Sequence, residues 1–135
     1  MLSFIQLFLN EEEAEIHKID HDHIYSQKVD DHTIQSHFYK RDTKDGKKHY
    51  DHHFTHDNSF DRKSKADSAH KVKAIHGIIK HAKHFIKHEK PDSLTFSPNT
   101  KKKRDFSHNL VQHLAKNHKN SSVERKGNDI SIKFH

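Results

Sequence analysis

Two kinds of side chain could do chemistry here by type and spacing: imidazoles in clusters, and one run of four cations. His81, His84 and His88 sit at three- and four-residue steps. On a helix that spacing puts three imidazoles on one side, within reach of a single divalent ion. His49, His52, His53 and His56 form a second cluster, and His17, His21 and His23 with Asp20 and Asp22 a third. Yet 18 histidines among 135 residues make such spacings common by chance, and no cysteine is present to complete a zinc site. No specific metal and no cofactor is expected, and the His81 stripe is the candidate set if one exists.

The cations are Lys101, Lys102, Lys103 and Arg104, at the start of a second helical pattern. Cations at a helix N-terminus oppose the macrodipole by a few tenths of a kcal/mol each, so helix stability does not favour them. Phosphate binding is one reason to keep them, and a solvated turn is the plainer one. No zinc-finger spacing or aromatic-rich platform accompanies them, so contact with nucleic acid is expected to be non-specific. Catalytic signals are weaker. His21-Asp22 and Asp51-His52 could serve acid–base work, but there is no cysteine nucleophile, no G-x-S-x-G and no H-E-x-x-H. The chain is expected not to be an enzyme.

The element that must position most of these groups is Ser64–Lys90. Val72, Ile75, Ile79, Ala82 and Ile86, with Ile78 and Phe85, predict a core-facing helical stripe. Lys73, Lys80 and Lys87 share the opposite face, and the His81 stripe lies at the border. Asp67 or Ser68 can cap the start, and Pro91 ends the helix. Ahead of it, residues 33–40 and 48–56 alternate in hydropathy around the turn dipeptide Asp45-Gly46 and predict a hairpin. A strand is read near Ile24 and Val29. After it come a short strand at Leu94 and Phe96, a helix over 102–117 bearing Phe106, Leu110 and Leu114, and a short strand at Val123. Lys126-Gly127-Asn128-Asp129 turns the chain into a last strand at Ile130, Ile132 and Phe134. The expected fold is α+β: a small mixed sheet in the order β-hairpin then β-α-β-α-β, with both helices on one face.

Residues 1–15, MLSFIQLFLNEEEAE, read as a short N-terminal amphipathic helix, and 16–135 as a single domain. Residues 1–31 carry two lysines and eight acids, net −6, whereas 32–135 carry 23 basic and 11 acidic residues, net +12. A basic body points to a polyanionic partner or simply to solubility. The histidines make that charge pH-sensitive, since about half would be protonated near pH 6.5. No apolar run reaches the roughly 20 residues of a membrane helix, and the opening lacks the basic start of a secretory signal. No membrane association is expected.

The opening Phe4-Ile5-Gln6-Leu7-Phe8-Leu9-Asn10-Glu11 resembles the capsid-targeting leader of internal, prohead-core proteins of large tailed phages. Those leaders are a few apolar residues ending in Leu or Ile, any residue, then Glu. The resemblance implies cleavage after Glu11, with Leu9, Asn10 and Glu11 as the motif. Residues 66–134 are similar to small, uncharacterised α+β proteins encoded by tailed phages, which implies a fold and a viral setting but no activity. Together these give the expectation of a small phage protein, in the virion or the host cytoplasm, whose partners are nucleic acid and other virion proteins. An interaction protein acting on a host factor and a His-rich metal binder are the alternatives.

Overall fold

The computed structural model describes residues 15–29, 32–56 and 68–135. Seven strands and two helices are found among them. The strands are β1 (Glu15–Ile19), β2 (Asp22–Val29), β3 (His32–Lys40), β4 (His49–His56), β5 (Ser93–Phe96), β6 (Ser121–Lys126) and β7 (Asp129–Phe134). The helices are α1 (Ser68–Glu89) and α2 (Lys101–Lys116). The sheet order is β1-β2-β3-β4-β5-β7-β6. β4 and β5 run parallel, while β1–β2, β5–β7 and β6–β7 are antiparallel.

The α+β class, both helices and the strands expected after residue 32 are present. The order differs from expectation at both ends. A hairpin, β1–β2, precedes the one expected first, and α2 is followed by the β6–β7 hairpin where the expected order ends in one strand. The expected N-terminal helix and its Leu9-Asn10-Glu11 motif lie outside the described residues, apart from Glu15, which opens β1.

Two compact units divide the chain, one drawn from Met1–His37 and Phe54–Ala82, the other from Phe38–His53 and Lys83–His135. In the first, β2 turns His23, Tyr25, Gln27 and Val29 inward, and β3 turns in Ile34 and Ser36. The first part of α1 covers them with Ala74, Ile78, His81 and Ala82. The buried stripe is therefore rotated from the expected one. Val72 is 51% exposed and His81 only 2%. Gly77 explains the rotation: a Cβ there would collide with Ile34 Cδ1, so the helix seats on the sheet at its one glycine.

The second unit is built on aromatic rings. Phe85 stacks on Phe38 with centroids 4.0 Å apart and meets Tyr50 edge-on at 4.8 Å. The ring of His52 lies between Phe38 at 4.7 Å and Phe96 at 4.8 Å. Register carries this face from Tyr50 and His52 through Leu94 and Phe96 to Ile132 and Ile130. α2 lies against β7 and β6 and buries Ser107, Leu110, Val111 and Leu114. The opposite face is polar, with Asp51, Thr95, Ser131 and Glu124 in one row across four strands. Thr95 and Ser131 hydroxyls share a hydrogen bond of 2.8 Å in that row, and Arg41 clamps Asp51 through Nε at 2.8 and 2.9 Å.

Among the described residues, two hairpins have two-residue turns. Gly127 opens the β6–β7 turn at φ 64° and Asp20 the β1–β2 turn at φ 56°. The Asp45-Gly46 dipeptide does not make a tight hairpin. β3 and β4 are joined by the eight residues 41–48, with the Arg41 N–H bonded to the His49 carbonyl at 2.7 Å.

Candidate nucleic-acid interface

The four cations open α2 as expected. Thr100 is the N-cap, extended at φ −128°, and its Oγ1 accepts the Lys103 N–H at 3.2 Å. Its carbonyl accepts the Arg104 N–H at 2.9 Å. The cap thus occupies the Lys103 amide, and the patch offers side-chain charge rather than a ring of open amides. Lys101, Lys102 and Arg104 are exposed and Lys103 is half-buried. The first turn of α2 holds no acid. Lys103 reaches back electrostatically to His53, whose ionisation is pushed below its ordinary value first by burial and then by that ammonium.

A second cationic feature lies at the other end of the helices. Lys83, Lys87 and Lys90 follow at four- and three-residue steps along the last turns of α1, on one side of it. They line a cleft of about 640 Å³ whose other walls include His118 and Phe134, with Ile86 and Pro91 at its apolar floor. Backbone geometry sets each wall. α1 closes with the Lys90 N–H bonded to the Ile86 carbonyl at 3.0 Å, and Lys90 itself stands at φ 50°. The Asp92 carboxylate accepts the Lys48 N–H at 2.7 Å, and its carbonyl accepts the Phe134 N–H at 2.9 Å, which fixes the end of β7. α2 ends at Asn117, whose amide group caps the His113 carbonyl at 3.1 Å. His118 then stands edge-on to Phe134 at 5.2 Å and 80°.

The lysine field is visible in the neighbouring imidazoles. His113 is held below its ordinary pKa by burial, then by Lys83 and Lys116. His84 is held down by burial, then by His88 and Lys87. Lysines in a last helical turn complement the helix dipole, which accounts for Lys87. Lys83 stands two turns from the end, where that effect has faded. The unit holding both features has 17 lysines and arginines against 8 acids, a net of +9. The cleft was not legible in the sequence, because its cations and its aromatic wall are some 45 residues apart.

The structure places the members of the His81 stripe differently. His81 is buried with both nitrogens engaged: Nε2 donates to Gln27 Oε1 and Nδ1 accepts from Ser36 Oγ, each at 2.9 Å, while Tyr25 stacks on the ring at 5.3 Å. His84 and His88 are exposed, their rings 4.1 Å apart. Among the described residues, no group of three or more His, Asp or Glu side chains is arranged to hold a metal ion.

His49 joins Asp45 and Ser93 in a relay. Nε2 donates to Asp45 Oδ2 at 2.9 Å, and Nδ1 accepts from the Ser93 hydroxyl. The order of atoms resembles a hydrolase triad, but the ring is reversed, and the Ser93 N–H already bonds the Lys48 carbonyl at 3.2 Å. The relay's evident work is to pin the 41–48 connection to β5. Hydrogen bonds from the Lys47 amide, His49 and Thr43 hold the Asp45 carboxyl well below the usual carboxylate range.

No protein-family model, curated protein or solved structure matches the chain. No helix of the described residues is long and apolar enough to cross a membrane.

Proposed function

We propose that this is a small, non-enzymatic phage protein, associated with or inside the virion, whose basic unit contacts nucleic acid through non-specific electrostatics. The observation that carries the nucleic-acid part is the collection of Lys83, Lys87 and Lys90 around one cleft in a unit of net charge +9. Helix stability does not call for Lys83, nor for Lys101 to Arg104 at a helix start. Counterion release from neutralised phosphates would supply most of the binding free energy, so affinity falls steeply with salt. The viral setting is supported by the leader-like opening around Leu9, Asn10 and Glu11, and other virion proteins are the further partners it implies.

Gel retardation of a mixed-sequence duplex and a single strand at about 50 mM salt tests the binding. Retardation that weakens steadily with added salt is expected, and failure to retard either one overturns it. The intact mass of the native protein tests the setting. A chain beginning at Glu12 in the particle fraction supports it, and a full-length chain confined to the soluble fraction removes it.

A further inference from the structure

Phosphate-only binding needs exposed cations and nothing else, and the start of α2 already provides them. The cleft has more than that. Its three cations share the lining with one acid, Asp92, whose carboxylate is engaged by the Lys48 N–H, and with the aromatic Phe134 and the apolar Ile86 and Pro91, which gain nothing from a phosphate. Phe134 is only half-buried, although β7 buries Ile130 and Ile132 completely or nearly so. His118 stands edge-on to its ring, which leaves a mixed polar and aromatic wall beside three ammonium groups.

The volume adds a size limit. At about 640 Å³ the recess is within the range of small-ligand sites and open to solvent on one side, large enough to seat a nucleotide that remains joined to a strand outside it. In a duplex the bases are stacked inside, and only the backbone reaches a protein surface of this kind. An unpaired nucleotide offers what the cleft's parts match together: phosphate for the lysines, a π-face for the aromatic wall and an apolar edge for Ile86 and Pro91. The other occupants of a cationic recess, such as a free phosphate, would leave Phe134 unused.

We infer that the cleft at the ends of α1, α2 and β7 holds one unpaired nucleotide of a single strand, with its phosphate on Lys83, Lys87 and Lys90 and its base against Phe134 and His118. This rests on the nucleic-acid reading above and sharpens it. Single strands bind more tightly than duplex, and the difference comes from the cleft alone. The Lys101–Arg104 patch contributes equally to both.

The test is fluorescence anisotropy of the full chain with a labelled 20-nucleotide oligothymidine and a labelled 20-base-pair duplex, at one pH and several salt concentrations. The single strand should bind about tenfold more tightly or better, the scale of one base stacked on an aromatic ring. Phe134→Leu keeps the apolar bulk and removes the ring. It should cut single-strand affinity about fivefold to tenfold and leave duplex affinity unchanged. Lys87→Gln should weaken both and lower the salt slope by about one. Should Phe134→Leu lower the melting temperature, His118→Ala at the rim takes its place with the same expectation. Equal affinity for strand and duplex, or neither variant altering the difference, overturns the cleft assignment and leaves non-specific binding standing. Binding to neither overturns both.

Discussion

Each unit buries a histidine deeply, and the two rings are held by different physics. In the first unit His81 is held by hydrogen bonds, from Ser36 to one nitrogen and to Gln27 from the other. In the second His52 is held as a ring between Phe38 and Phe96. The contrast extends to the neighbours. The inward faces of β2 and β3 mix Tyr25, Val29 and Ile34 with His23, Gln27 and Ser36, whereas the second unit gathers the rings of Phe38, Tyr50, Phe85 and Phe96 and also buries the small Ser93, Thr95 and Ser107. Charge divides the same way, −3 in the first and +9 in the second. The lesson concerns a lean composition: with only 30% hydrophobic residues, a core can be completed by polar side chains if they satisfy one another. Where polar satisfaction does that work the fit must be close, hence Gly77 on α1. Where rings do it, area suffices.

The contrast can be broken by substitution. Phe85→Ala should have the largest effect, about 3–5 kcal/mol, because it removes the ring that stacks on Phe38 and abuts Tyr50. Chemical denaturation measures it, and a loss under about 1 kcal/mol would mean the rings are not what holds the second unit. His81→Leu should cost less, about 1–3 kcal/mol, by stripping the buried Ser36 hydroxyl and Gln27 carbonyl of that partner. If a triple change that also makes Ser36→Ala and Gln27→Leu restores nothing, polar satisfaction is not the reason for the cost.

The turns of the two hairpins offer a smaller test. Gly127 occupies a left-handed backbone position at no steric cost, and Asp20 occupies the same kind of position with a side chain. Asp20→Gly should stabilise by up to about 1 kcal/mol, and Gly127→Val should destabilise by about 1–2 kcal/mol. Matching signs would remove the distinction.

Acid should act on stability and binding with opposite signs. His53, His84 and His113 have folded pKa values below that of the unfolded chain. The unfolded state therefore takes up more protons as pH falls below about 6.5, and the folded state loses the stability it has above that pH. The melting temperature should be lower at pH 5.5 than at 7.5. A bound polyanion favours the protonated rings, so nucleic-acid affinity should rise over the same interval while the protein stays folded. A melting temperature that rises toward pH 5.5 would contradict the direction of all three shifts.

Much of the fold was legible because β3, β4, β5 and β7 alternate cleanly. Ile34, Ser36 and Phe38 face one way as read, and so do Tyr50, His52 and Phe54. α2 announced itself through Leu110 and Leu114. β2 was nearly invisible because its inward residues include His23 and Gln27 while Ile24 faces out. β1 is exposed along its whole length, so its sequence carries no alternation. The helical stripe was legible in period but not in phase. Periodicity cannot show that a glycine lets a helix approach a sheet, nor that His81 would find two polar partners there. The cation run at Lys101 was plain for the opposite reason, since four neighbours in sequence need no fold to meet.

Lys90 stands in left-handed backbone next to Pro91, at a helix end where glycine is the residue of least strain. A search for more heat-resistant variants would therefore find Lys90→Gly early, with a gain of up to about 1 kcal/mol. The same change takes one of three ammonium groups from the cleft. Selection for thermal tolerance alone would strip charge from that cleft, and the strained lysine marks where backbone ease and surface charge make opposite demands.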